Sequence, residues 1–404
     1  MSYKHFQIDK SEQQARANKI KVLRLIRDER EITRSEIIKI SGLSAPTVTR
    51  IVESLVQMQL IQSDGTGESI GGRRPQIIRF SAKKNFVIGI DIGGTFIRSA
   101  LSNLDGDFIY EIQVPTNIKS GFEGVMDQVG ELINKLTNRA KQNKLELWGV
   151  GVAICGMVNK NTNLVEYSPI FNWRNVDVKQ ALSKYTSLDV VLGNVVQLFA
   201  LGELLYGIGK SYNNFICLNL GYGIGSGIIA DGKLFDGADG IAGEVGHIVV
   251  DGKSKRKGME GVTGTLEALA SGYGIADIAQ ELSRENVSSS LNNLDASVID
   301  AKSVFEAARN NDELANEVLD DVANYLSISI DTLIKLFNTE CIVLSGGLIE
   351  NEDIVFNKIS DKMKNYSMKA LSRSVPIVQS SFGVNAALMG AFSLILEKIL
   401  NLEK

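Results

Sequence analysis

Three times the sequence runs an apolar strand directly into glycine, and this repetition limits the possible folds more than any other feature. The segment "FVIGIDIGGTFIRSALSNLDG" (86–106) reads as a strand ending at Asp91, a turn at Gly93-Gly94 and a second strand. In "FICLNLGYGIGSGIIADGKL" (215–234), Gly221, Gly223, Gly225 and Gly227 alternate within a strand-like frame. In "CIVLSGGLIENE" (341–352), Gly346-Gly347 follow a buried strand and precede a helix. Glycine lets a backbone approach a ligand closely, and amides in such turns can hold phosphate. Each unit alone is an ordinary turn. Together they predict an α/β architecture of two lobes that close over a ligand in the cleft between them.

The charge distribution separates a third unit. Residues 1–85 hold 16 Lys+Arg against 9 Asp+Glu, a net +7 inside a chain whose overall charge is −4. A basic head on an acidic body predicts that only the head meets a polyanion. No apolar run reaches the ~18 residues of a membrane span, and "MSYKHFQIDK" lacks the apolar core of a secretory signal. The expected location is cytoplasmic, and Cys155, Cys217 and Cys341 are expected to be reduced core thiols.

Within the head, Val22, Leu25 and Ile26 recur at helical spacing, with Ile20 and Leu23 widening the apolar side. "TRSEIIKISG" opens with Thr33 as N-cap and Glu36 three residues on, a capping box, and Gly42 ends that helix. "SAPTVTRIVESLVQMQLI" has Ser44 as N-cap and Pro46 in its first turn. Val48, Ile51, Val52 and Leu55 form its apolar stripe, and Thr47, Thr49 and Arg50 fall off it. Two helices joined by a short glycine turn make a helix-turn-helix. "GESIGGRRPQIIRF" then reads as a β-wing, with Gly71-Gly72 at the tip, Arg73 and Arg74 beside it and "QIIRF" as the returning strand. By itself the wing also reads as a charged surface hairpin. With the helix pair and the charge it predicts double-stranded DNA binding by Ser44, Thr47, Thr49, Arg50, Arg73 and Arg74.

The motifs "DIGGT" (91–95), "GYGIGSG" (221–227), "GEVGH" (243–247), "LEALASG" (266–272) and "LSGG" (344–347) resemble those of the ROK family of repressors, open reading frames and kinases. The resemblance covers nearly the whole chain. It implies a winged helix followed by a two-lobed actin-like, ribonuclease H-like sugar-kinase fold. Its divisions are a head of residues 1–85, a first lobe of 86–193 with the C-terminal helix 385–404, and a second lobe of 194–384. The winged helix with "GGRRP" resembles the regulator branch.

Three departures bear on activity. The family's kinases carry a pattern like Glu-Asn-Asp-Ala-Asn-Ala before a Gly-Glu pair, and the Asp is the general base. Here Gly193-Asn194-Val195-Val196-Gln197-Leu198 occupies those places before Gly202-Glu203. Valine has no lone pair and no titratable proton, so Val195 cannot act as that base. The family's cysteine cluster after Gly-His, which implies zinc, is missing; Gly258, Glu260 and Thr265 stand at its positions. Tyr222 stands where the kinases have Thr, placing a ring near the expected nucleotide phosphates.

No catalytic residue, metal or cofactor is therefore expected. By resemblance, Glu244, His247 and Glu267 contact sugar hydroxyls, and Asn194 and Asn172 could add to them. A buried, self-satisfied polar cluster is the other reading of these residues. The expected protein is a dimeric or higher oligomeric repressor of carbohydrate genes on a palindromic operator, controlled by a sugar or sugar derivative. A carbohydrate kinase with a fused DNA-binding head, and a DNA-binding protein without an effector, stand beside it.

Overall fold

The computed structural model describes residues 10–29, 31–66, 76–81, 85–284, 288–350, 353–366 and 374–401. In the head, α1 (Lys10–Glu29), β1 (Glu31–Thr33), α2 (Arg34–Ser41), α3 (Ala45–Gln57), β2 (Ile61–Thr66) and β3 (Gln76–Phe80) form a winged helix. The capping box at α2 is complete: the Glu36 amide donates to Thr33 Oγ1 at 3.3 Å, and the Thr33 amide donates to the Glu36 carboxylate at 2.8 Å. Gly42 takes the left-handed φ of 69° that closes α2, and Ser44 caps α3. Val48, Ile51, Val52 and Leu55 are buried, with Val22, Leu23 and Ile26 of α1, whereas Leu25 is only partly buried. The strands pair in the order β1-β3-β2. The wing tip Gly71-Gly72, with Arg73 and Arg74, lies outside the described residues.

The body repeats one sheet twice. The first lobe contains β4 (Asn85–Ile92), β5 (Phe96–Asn103), β6 (Phe108–Pro115), α4 (Gly121–Gln142) and β7 (Glu146–Ile154). A small antiparallel sheet of β8 (Met157–Val158), β9 (Val165–Ser168) and β10 (Trp173–Val176) follows, then α5 (Val178–Leu182) and β11 (Val190–Asn194). Its main sheet runs β11-β7-β4-β5-β6, with antiparallel β4-β5-β6 and parallel β4-β7-β11. After α6 (Val195–Tyr206) the second lobe supplies β12 (Phe215–Leu220), β13 (Ile224–Ala230) and β14 (Lys233–Leu234). Next come α7 (Leu266–Ala270), α8 (Gly272–Ser283), α9 (Ala301–Arg309) and α10 (Glu313–Phe337). β15 (Cys341–Ser345), α11 (Gly347–Glu350), α12 (Asp353–Met363) and β16 (Ile377–Gln379) complete that lobe, and α13 (Ala386–Asn401) ends the described chain. The sheet order β14-β13-β12-β15-β16 has the same mixture of antiparallel and parallel pairs. All eight residues of β4 are buried, which is why it reads as a continuous apolar run.

Glycines set how the helices lie on these sheets. α13 packs on β4, β7 and α6. A Cβ on Gly89 of β4 would strike the Phe392 ring, and one on Gly151 of β7 would overlap the Ala391 carbonyl. Where α13 crosses α6, a Cβ on Gly390 would overlap the Leu198 carbonyl, and one on Gly202 would stand 2.9 Å from the Gly390 amide. The helices touch backbone to backbone. The head is joined to this junction: Val22, Leu23 and Ile26 share one apolar cluster with Val87, Leu104, Leu388, Phe392 and Leu396. Among the described residues no helix is long and apolar enough to cross a membrane.

Candidate functional site

A cleft of about 360 Å³ opens between the lobes. The first lobe contributes Asp91, Gly93, Gly94, Arg98 and Cys155, and the start of α6 contributes Asn194 and Val195. The second lobe contributes Tyr222, Glu244, His247, Glu260 and Glu267. All three glycine turns reach this space, through Gly93-Gly94, Gly223-Gly225 and Gly346-Gly347. Gly223 also makes room for a neighbour: a Cβ there would stand 2.8 Å from Glu267 Oε2.

Glu244 and His247 lie together, with Nε2 to Oε2 at 3.7 Å. Glu260 faces the other ring nitrogen, Nδ1, at 4.0 Å. Burial raises the Glu244 carboxyl above its ordinary range; His247 opposes this, while Glu260 and Glu267 add to it. Burial also raises Glu267, although its Oε1 accepts the Met259 amide at 3.3 Å. No hydrogen bond from the described residues reaches the Glu244 carboxylate. A polar group that leaves water without such a partner carries a desolvation penalty. Among the described residues, no three His, Cys, Asp or Glu are grouped so as to hold a metal ion. Of the positions where the family has cysteines, Glu260 points its charge at His247, and Thr265 caps α7 by accepting the Ala268 amide at 3.2 Å.

Asn194 lines the cleft, but its side chain also caps α6. Its Oδ1 accepts the amides of Val196 (2.8 Å) and Gln197 (3.2 Å), and Nδ2 donates to the Gly156 carbonyl at 2.9 Å. Most of its hydrogen-bonding capacity is thus occupied before a ligand arrives. Val195 begins α6 and presents a half-buried apolar side chain to the cleft. The expectation for Asn172 is corrected. It does not line the cleft, because its left-handed backbone (φ 51°) closes a turn in which its amide donates to the Pro169 carbonyl. Pro169 and Ile170 line the cleft in its place. Cys155 is also corrected: Cys217 and Cys341 are buried, but Cys155 is a half-buried part of the cleft wall. Burial, with Asp91, Glu244 and Glu267 nearby, pushes its thiol up to about 12. Tyr222 is 61% exposed at the cleft and meets Tyr273 edge to face at 6.1 Å.

Arg98 was absent from the sequence expectations, although hairpin register could have found it. Counting back from the Gly93-Gly94 turn pairs Ile92 with Ile97 and Asp91 with Arg98 across β4 and β5. Their side chains form an ion pair at 3.3 Å. Burial outweighs this cation and raises the Asp91 carboxyl to about 6. A carboxyl raised in the folded state binds its proton more tightly there than in the unfolded chain. Its contribution is full at low pH and is lost as pH rises from about 4 through 6. Asp91→Asn cannot titrate, so its stability relative to the parent should increase over that window. Urea unfolding of both proteins between pH 4.5 and 7 measures this, and a constant difference would contradict the assignment.

On the head, Ser44 and Arg50 are exposed and Thr47 and Thr49 partly exposed, all on or beside α3. Ser44 Oγ and Thr47 Oγ1 lie 2.7 Å apart, so each partly occupies the other. The structure thus defines a class: a winged-helix DNA-binding head fused to a two-lobed, sugar-kinase-like body. The chain belongs to the ROK family, whose model matches residues 87–398, and a winged helix-turn-helix DNA-binding model matches residues 16–62. It is 28% identical over 373 residues to the xylose repressor of Bacillus spizizenii, covering 92% of this chain and 93% of that protein. It is 32% identical over 316 residues to the glucokinase of Thermotoga maritima, covering 78% of this chain and 98% of that one. A crystal structure of a ROK family transcriptional regulator, described as a homolog of the E. coli MLC protein, superposes with a TM-score of 0.80 at 25% identity. That match covers 96% of this chain and 99% of the other.

Proposed function

We propose that the protein is a transcriptional repressor whose DNA affinity is controlled by a sugar in the interlobe cleft, and that it is not an enzyme. The observation that carries this reading is the part-buried Glu244 carboxylate, which faces the cleft beside His247 and Val195 and receives no hydrogen bond from the described residues. Sugar hydroxyls would supply the missing donors. Glu244, His247 and Glu267 are the principal contacts, with the free Nδ2 proton of Asn194 as a minor one. The repressor relative matches 373 residues, 92% of this chain, which is more than the body alone contains. The glucokinase relative covers 78% of the chain, so the fold alone does not separate the two activities; a valine at position 195, which cannot act as a base, supports the repressor reading.

The head acts as one half of a symmetric dimer on a palindromic operator. Arg50 with Thr47 and Thr49 reads base edges, while Arg73 and Arg74 meet backbone or minor groove. The sugar alters operator affinity only so far as it binds the DNA-competent and incompetent states differently. Xylose and N-acetylglucosamine are the first sugars to test, because relatives are named for them. A sugar at about 100 Kd should stabilise the fold by ~2.7 kcal/mol in a thermal melt and release the protein from a palindromic operator selected from random-sequence DNA. ATP should not be consumed. Turnover above a heat-killed control, or no response to any monosaccharide or sugar phosphate, would overturn the proposal.

A further inference from the structure

One helix connects the cleft to the head. At its N-terminal end α6 presents Val195, Val196 and Phe199 to the cleft, behind the Asn194 cap. One turn in, the buried Gln197 donates Nε2 to the carbonyls of Gly240 (2.8 Å) and Ala242 (3.2 Å). Those residues lead into the segment that carries Glu244 and His247. At the other end, Leu205 shares a small cavity with Ile20 and Leu23 of α1. The Arg27 guanidinium lies over the Tyr206 ring, 5.1 Å from its centroid. Tyr206 is held by donating its hydroxyl to the Leu104 carbonyl at 3.1 Å, and burial pushes its phenol up to about 12. On the same face of α1, Arg24 reaches the Gly232 carbonyl in the β13–β14 turn at 3.5 Å.

Every residue of α6 from Val196 to Leu205 is buried. Twelve helical residues span about 18 Å. A helix packed on all sides at crystal-like density cannot bend into free space, so a displacement at one end must appear at the other as a shift or rotation. We propose that α6 is the rod through which the state of the cleft reaches the DNA-binding head, with the Tyr206–Arg27 contact as its output. The sugar reading supplies the stimulus for this device, but the mechanical linkage is independent of which ligand fills the cleft.

The test uses amide hydrogen exchange on the full chain without sugar or DNA. Asn194→Ala removes the cap at the cleft end and should raise exchange of the α1 amides Leu23 to Arg27 by about threefold or more, as local opening spreads along the helix. Adding Tyr206→Leu should abolish the dependence of α1 on residue 194. Asn194→Ser, which keeps a cap acceptor, should restore the parent pattern. Thr265→Ala removes the α7 cap, beside the cleft but off α6, and should leave α1 unchanged. If Asn194→Ala does not fold, Phe199→Leu perturbs the same end more mildly and is expected to give the same pattern. Faster exchange in the first turn of α6 with α1 unaltered, or an equal change from Thr265→Ala, would overturn the proposal. With no sugar present, failed sugar binding would refute the effector reading and leave this result standing.

Discussion

Gly390→Ala is expected to destabilise the protein by about 2–3 kcal/mol, even though alanine is the better helix former. The intrinsic preference for alanine over glycine inside a helix is about 1 kcal/mol in the opposite direction. The new Cβ, however, would overlap the Leu198 carbonyl of α6, and a backbone oxygen cannot rotate away as a side chain can. Overpacking of a dense core costs about 1–3 kcal/mol and more where backbones must separate. Because the crossing also relies on Gly202, α6 and α13 would move apart along the whole contact. Gly347→Ala is the control, since a Cβ there has nothing within 4 Å. The measurement is the urea midpoint of each variant. A midpoint for Gly390→Ala equal to the parent would show that the helices do not cross this closely.

The second large effect concerns the cleft. Glu244→Ala should weaken the effector's release of operator DNA by about 1–3 kcal/mol, roughly 5- to 150-fold in effector concentration, as for one lost buried hydrogen-bond partner. His247→Ala should act in the same direction, because the ring lies 3.7 Å from the Glu244 carboxylate. DNA affinity without effector should remain near that of the parent, since neither residue touches the head. An operator-release titration reads both quantities. If both variants respond like the parent, the polar cluster is a relic and the signal enters elsewhere.

Local chemistry made the head legible in sequence: Thr33 with Glu36, Gly42 and Ser44 fix helix ends through contacts three or four residues apart. The strand–glycine units likewise announced the two sheets, because a buried strand and the turn after it are both local signals. That Glu244 and His247 lie side by side at the cleft could be anticipated because they fall within one five-residue motif. Asn172 misled because an asparagine reads as a sugar ligand, whereas this one suits a left-handed turn. The distant partnerships were not legible. Gln197 with Gly240 and Arg27 with Tyr206 join residues that only the tertiary fold brings together. Gly202 and Gly390 were silent for a related reason: a glycine in an apolar helix reads as a mild propensity defect until its neighbour across the crossing is known.

The position of α13 has a consequence for biosynthesis. A ribosome delivers the head roughly 300 residues, and the end of β7 roughly 230 residues, before α13, and domains ordinarily fold in the order of their emergence. Here the first lobe cannot complete its core until Phe392, Ile395 and Leu396 arrive, and the head waits for the same side chains. The nascent protein must therefore hold an exposed apolar sheet face through most of its synthesis, which makes it a natural client for chaperones. Premature termination anywhere before residue 386 would leave that face uncovered in every product. Such fragments should be cleared by proteolysis rather than persist as free DNA-binding heads competing for the operator.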